Sequence, residues 1–234
     1  MQMYYETNKN DHGLPYNPFK ALTVPRPIGW ISTVSKNGVG NLAPYSYFNG
    51  LSYDPPFVMF SAGNRADGSK KDSVLNAEET GEFVVNMSTW DTRHQMNDTS
   101  WIMEPNTDEL EKTGLTAIDS FEVKPKRVAE SPVHFECKYH QTVELPGKGG
   151  LHNVVFGQVI GIHIKDEFIT DDGIVDTLKM KVIARLGYND YTLVEKTFSI
   201  IDFKDKGKMT SVAINENRVI ITSMLVKTNF PGSG

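Results

Sequence analysis

Pro25-Arg26-Pro27-Ile28-Gly29-Trp30-Ile31-Ser32-Thr33 is followed, after Lys36-Asn37-Gly38, by Asn41-Leu42-Ala43-Pro44-Tyr45-Ser46-Tyr47-Phe48-Asn49. The first stretch ends in β-branched and aromatic residues, the second is dense in aromatics, and the Asn-Gly pair between them tolerates the positive φ angles of a tight turn. Together they predict a β-hairpin. The same region contains Gly38-Val39-Gly40-Asn41-Leu42-Ala43, which matches the glycine spacing of a dinucleotide-binding turn. Pro44 follows at once and no long amphipathic helix begins there, so the structural test of that motif fails. No Walker-type phosphate loop is present either.

Beyond the hairpin the apolar runs stay short and rich in β-branched or aromatic residues: Ile28 to Val34, Phe57 to Ser61, Glu82 to Met87, Val133 to Tyr139, Val154 to Ile164 and Leu178 to Leu186. Turn residues separate them, which predicts a mainly β sandwich or barrel. Helical spacing interrupts this pattern. Lys71 to Gly81 reads as a helix that Asp72 or Ser73 can cap and that Gly81 ends. Asp91 to about Asn97 reads as a second, and Glu104 to Gly114 as a further acidic turn beginning after Pro105. After Tyr191 the pattern alternates between charged and apolar residues, as in Phe198 to Phe203 and Val219 to Val226, and predicts added edge strands. No repeat is found, so the expected organisation is one domain over residues 1–191 and an extension over 192–234.

With 234 residues and 39% hydrophobic content the chain can bury a sizeable core. Its 24 basic and 29 acidic side chains give a net charge of -5, which disfavours a generic nucleic-acid binder or an anionic-membrane binder. Any anion must therefore be gripped locally. The single cysteine, Cys137, permits no intramolecular disulfide, and Met1 to Asn10 is too polar to read as a leader. A reducing cytoplasm is the expected compartment. No window approaches the ~18 apolar residues of a membrane-spanning helix. Asn86-Met87-Ser88 and Asn97-Asp98-Thr99 match the glycosylation pattern only by chance on this reading. His134, Cys137 and His140 are close in sequence, yet strand alternation puts Cys137 with Val133, Phe135 and Tyr139 on one face. His134, Glu136, Lys138 and His140 share the other, so no metal site is expected and both histidines are expected to face solvent.

Four segments taken in order carry a sharper signal: residues 25–33, residues 41–49, Asp54-Pro55-Pro56-Phe57-Val58-Met59-Phe60-Ser61, and Lys71-Asp72-Ser73 running on to Gly81-Glu82-Phe83-Val84-Val85-Asn86. Later landmarks are Gly114-Leu115-Thr116, Glu130 to Cys137, Gly157-Gln158-Val159 and Arg185-Leu186-Gly187-Tyr188. Over roughly residues 15–191 the chain resembles the flavin reductase-like family, including flavoredoxin-type proteins, which uses the FMN-binding split β-barrel with a few short helices.

The resemblance implies an FMN cofactor, a homodimer with the flavin near the interface, and an oxidoreductase that takes electrons from NADH or NADPH. The acceptor would be a small molecule or a protein. The alternative it leaves open is an FMN electron carrier that does not use a nicotinamide. A phosphate needs concentrated donors, and the start of the Lys71 helix offers unpaired N–H groups and a partial positive charge. Ser73 can add a hydroxyl and Lys71 a full charge, with Arg26 a second cation or else an ion-pair partner. For the isoalloxazine ring, Trp30, Tyr45 and Tyr47 offer surface; Ser32, Thr33, Asn41, Ser46 and Ser61 offer polar contacts, and Ala43 its backbone. His152, Arg185, Tyr188 and Tyr191 are placed by the resemblance around the open flavin face, where a nicotinamide or an acceptor could stack. No side chain is nominated as catalytic acid, base or nucleophile, because the flavin carries the chemistry.

Overall fold

The computed structural model describes residues 2–101, 108–147, 150–200 and 218–221. Two units divide the chain, Met1–Leu193 and Val194–Gly234. After a short helix, α1 (Phe19–Leu22), the first unit lays down β1 (Gly29–Val34), β2 (Gly40–Tyr45), β3 (Phe48–Tyr53) and β4 (Pro56–Gly63). Then come α2 (Asp72–Thr80), β5 (Glu82–Met87), α3 (Arg93–Asp98), α4 (Glu109–Lys112), and two short strands, β6 (Ala117–Ile118) and β7 (Arg127–Val128). The long strands β8 (Val133–Gly147) and β9 (Gly150–Ile164) follow, and β10 (Ile183–Arg185) and β11 (Tyr191–Leu193) complete the unit.

Seven strands form one sheet in the order β2-β1-β5-β8-β9-β4-β3, each neighbouring pair antiparallel. The hairpin predicted at Lys36-Asn37-Gly38 joins β1 to β2: Gly38 has φ 84°, and the Ser35 N–H reaches the Val39 carbonyl at 2.9 Å.

The sheet has two very different faces. The inner face gathers Ile31 of β1, Tyr45 of β2, Phe60 of β4, Phe83 of β5, Cys137 of β8 and Val155 of β9 into one buried cluster. Tyr45 and Phe60 come from strands far apart in the sheet order, yet their rings lie 5.1 Å apart. The sheet is therefore curled around this core. Gly157 makes room for it: a Cβ there would collide with the Phe83 ring. Cys137 is buried in the same cluster, and burial pushes its thiol well up, so it behaves as a small apolar group.

The outer face carries a second cluster, including Ile28, Trp30, Leu42, Met96, Val128 and Ile183, and beside it a row of buried polar groups. Asn86 accepts from the Val128 N–H at 2.8 Å and donates to the Trp30 carbonyl at 3.0 Å. A ring nitrogen of His134 meets the Val128 carbonyl at 2.7 Å. Glu136 accepts from the N–H groups of Phe121 (2.8 Å) and Glu122 (2.6 Å), and from His163 (2.6 Å). These bonds fasten the segment between α4 and β8 onto the sheet. The expected solvent-facing His134 is thus corrected: it lies on the predicted face, but that face is covered, and the side chain is buried. Burial lowers its pKa to about 4. His140 is exposed as expected.

Other elements depart from the sequence reading. Within Leu178 to Leu186 only Ile183–Arg185 is a strand. Alternating Leu178, Met180 and Val182 mimic one, but Asp176 caps a turn by accepting from the Lys179 N–H at 3.0 Å, and Lys181 has φ 50°. The acidic segment forms α4 only from Glu109, with Asp108 as its cap; residues 104–107 lie outside the described set. In the second unit, β12 (Thr197–Ile200) pairs in parallel with β13 (Arg218–Ile221). The remainder of the two expected tail strands, 201–203 and 222–226, lies outside the described residues.

Candidate functional site

Helix α2 places the first group of candidate residues. Its buried positions are Ser73, Val74, Asn76 and Ala77, the spacing of one helical face. Val74 and Ala77 join the inner core, while Ser73 and Asn76 meet the polar ends of β1 and β2. Gly81 closes the helix in the left-handed region at φ 75°, as expected.

At its start a connected network forms. The Tyr45 hydroxyl donates to Ser73 Oγ (3.0 Å), and Ser73 donates to Asn41 Oδ1 (2.8 Å). Thr33 donates to the same oxygen (3.3 Å) and accepts from Asn76 (3.1 Å). Asn41 and the Leu42 N–H both donate to Glu109, at 3.0 and 2.9 Å. Burial pushes the Tyr45 hydroxyl up to about 12, so it stays a donor, and burial raises the Glu109 carboxyl above the usual range. Four nominated residues, Thr33, Asn41, Tyr45 and Ser73, are thereby brought together. Glu109 is a member that the sequence reading did not name; its only signal is an acidic pair, Asp108-Glu109, at a helix start.

The helix start itself is left polar and positive. Lys71 occupies the N-cap position and no side chain caps the helix. The expected Asp72 cap is corrected: Asp72 turns to Arg65, 2.6 Å away. Lys70 pairs with Glu78 at 2.8 Å and Glu144 at 3.3 Å. Lys71 has no ion pair among the described residues, and its ammonium lies 5.8 Å from the centre of the Tyr45 ring. Lys71 is exposed, yet partial desolvation, and then the charge of Arg65, lower its pKa. An anion placed here would relieve both.

A second group sits at the other end of β1. Arg26 is buried, and its guanidinium donates to the carbonyls of Lys20, Thr23 (2.7 Å) and Leu186 (2.8 Å), and weakly to Ser46 Oγ (3.4 Å). It forms no ion pair among the described residues. Arg26 therefore acts as a structural tie, with Tyr47 5.8 Å beneath it, rather than as the second phosphate cation that the sequence suggested. The Ser61 N–H donates to the Tyr47 carbonyl at 2.8 Å, so Ser46, Tyr47 and Ser61 adjoin, and half-buried Ala43 packs against the inner core.

Two nominations fail on geometry. Trp30 is fully buried in the outer cluster, its indole N–H on Thr99 at 2.9 Å, and presents no ring face to an inner ligand. Ser32 shares that face, donating to the Lys126 carbonyl at 2.6 Å and accepting from Asn86 at 3.1 Å. Successive strand residues point to opposite faces, so Ser32 and Thr33 cannot both offer side chains to one ligand.

On the nominated acceptor side, Arg185 lies 4.4 Å from the Tyr191 ring centre and donates to the Tyr188 carbonyl, so these three cluster. Tyr191 lines a cavity on the outer face. His152 stands apart on β9, exposed, paired with Gly63 of β4 and Leu145 of β8.

A curled antiparallel sheet with an uncapped helix start and a lysine unpaired among the described residues, beside the Tyr45, Ser73 and Asn41 network, defines a barrel whose rim can accept an anion. Comparison with known proteins gives the particular family. The flavin reductase like domain matches residues 21–194, and the chain belongs to that family. An uncharacterised protein of Aquifex aeolicus is 38% identical over 189 residues, covering 81% of this chain and 94% of its own. Among solved structures, nitrilotriacetate monooxygenase component B from Bacillus cereus is 29% identical, with a TM-score of 0.79 over 86% of this chain and 99% of that one. A protein with a split barrel domain from Shewanella frigidimarina is 20% identical, with a TM-score of 0.73 over 86% and 100% of the two chains. The fold is accordingly the split β-barrel.

Proposed function

We propose that this protein binds FMN and passes electrons from NADH or NADPH through it to a second acceptor, small molecule or protein, as a cytoplasmic homodimer. The observation that carries the reading is Lys71, a cation with no ion pair among the described residues at the uncapped start of α2. When bound, FMN supplies the two-electron chemistry. Lys71 and the first N–H groups of α2 would hold its phosphate. Ser73 is turned inward, so its part is to fix Tyr45 and Asn41. Ala43, Ser46, Tyr47 and Ser61 would border the ring, and His152 with Arg185 and Tyr188 the side that a nicotinamide approaches.

The homodimer is supported by the edge strand β3, which exposes Leu51 and 93% of Tyr53, an apolar edge that calls for a cover. Sedimentation equilibrium at micromolar concentration tests it, with a dimer expected. The function is tested by titrating FMN, FAD and riboflavin, then adding NADH or NADPH anaerobically. FMN should bind more tightly than riboflavin, and reduced nicotinamide should bleach it. Equal affinity for riboflavin removes the phosphate site. Reduction by dithionite but by neither nucleotide replaces the enzyme with the electron carrier.

A further inference from the structure

On the outer face of the sheet, α3 with the turn before it and the β10–β11 hairpin border a half-open cavity of about 310 Å³. Its apolar lining includes Met96, Ile183 and Leu193, which pack with the outer cluster. Trp90, 44% exposed, lines it as well, and the Arg93 guanidinium lies 3.9 Å from the centre of its ring. Tyr191 is a further part of the wall. Arg93 has no carboxylate partner among the described residues, and the nearest acidic side chain in sequence, Asp91, is within 3.5 Å of Lys181 instead. His94, Asn97 and Thr192 add polar groups to the wall, and one arm of the Arg93 guanidinium donates to the Trp90 carbonyl at 2.5 Å. The apolar floor, the aromatic walls and this cation without a counter-ion suit one kind of ligand. It has a flat apolar body and one anionic group.

We propose that this cavity binds a small planar aromatic carboxylate, its ring against Trp90 and Tyr191 and its carboxylate on Arg93. About 310 Å³ is at the small end of ligand pockets, which suits one or two rings and not a nucleotide. The site is separate from the α2 start, which adjoins the inner face through Tyr45, Val74 and Ala77. Tyr191 joins it to Arg185 of the proposed nicotinamide side, 4.4 Å away, but its lining does not require bound FMN.

The probe is 2-naphthoate, titrated into the full-length protein by calorimetry and by tryptophan fluorescence, with uncharged 2-naphthamide beside it. The expected result is saturable binding at one site per chain, with naphthoate preferred over naphthamide by ~10-fold or more. Arg93→Gln should erase that preference and leave FMN affinity unchanged. Leu193→Trp should fill the cavity and abolish both ligands, and Trp90→Phe should remove the optical signal while calorimetric binding persists. Circular dichroism checks that each variant is folded. Should Arg93→Gln fail to fold, Arg93→Lys takes its place, with a reduced preference expected because the fork is lost. The proposal is overturned by equal binding of acid and amide, by an Arg93 variant that keeps the preference, or by the absence of saturable binding. Competition between naphthoate and FMN overturns it too, since it would put the probe in the flavin site.

Discussion

The inner and outer faces of the sheet are held by opposite means. Inside, Tyr45, Phe60, Phe83 and Val155 fit by shape, with a polar network at the rim beside α2. Outside, Asn86, His134 and Glu136 fasten a covering segment by hydrogen bonds to its main chain. A shape-held face tolerates no lost volume but can open to a ligand at its edge. A bond-held face tolerates no lost acceptor, and along Asn86, His134 and Glu136 its polar groups are already committed to the covering segment. The proposed phosphate site at Lys71 accordingly lies at the rim of the inner face, beside Tyr45.

The largest expected effect is on the inner face. Phe60→Ala should lower stability by ~3–5 kcal/mol in urea unfolding and weaken FMN as well, because Tyr45 packs on Phe60. Next comes the outer face: Glu136→Ala removes the acceptor of two N–H groups and His163, for a loss of ~2–3 kcal/mol. Hydrogen exchange should rise at Phe121 and Glu122 while FMN affinity holds. A parallel loss of FMN affinity would break the distinction between the faces.

Acidity should separate the two outer groups. His134 has its pKa lowered to about 4 from 6.5, so the folded chain binds fewer protons than the unfolded one between those values. Stability should therefore fall by about 2 kcal/mol from about pH 7 to about pH 4.5, and His134→Gln should flatten that slope. Glu136 is held below its usual 4.5 although burial opposes this, because Phe121, Glu122 and His163 donate to it. Its contribution is present above about pH 4.5 and is lost only as pH falls further, through its folded value. A slope that survives His134→Gln would assign the acid loss elsewhere.

Smallest in stability and sharpest in function is Lys71→Ala. FMN should weaken by ~10 to 100-fold, the worth of a charge-assisted contact, with the urea midpoint unchanged. Ser73→Ala should act more mildly on FMN, since its hydroxyl is committed to Tyr45 and Asn41. If Lys71→Ala leaves FMN untouched, the phosphate lies elsewhere.

Much of the inner face was legible because period-two alternation reports a core directly: Phe83, Val85, Phe135 and Cys137 are where the pattern puts them. The outer face was not, because its cover is a segment with strands of two residues, too short to leave a period. His134 and Glu136 then look like solvent-facing polar residues. The nomination of Ser32 beside Thr33 came from resemblance and ignored alternation, which the strand enforces. Arg26 could be read as a free cation because carbonyl partners leave no mark in a sequence: Lys20 and Thr23 are close by and Leu186 is 160 residues away. The join of Glu109 to Asn41 is equally invisible, spanning 68 residues with no shared pattern.

The notch at Gly157 has a consequence for descent. Any side chain at that position must displace the Phe83 ring, so Gly157→Ala alone should be lost by selection however mild it looks on paper. A smaller residue at 83 would leave a void where the ring now stands. The two positions, 74 apart in sequence and joined only in space, are therefore a single heritable character: lineages should keep glycine and phenylalanine together, or exchange both.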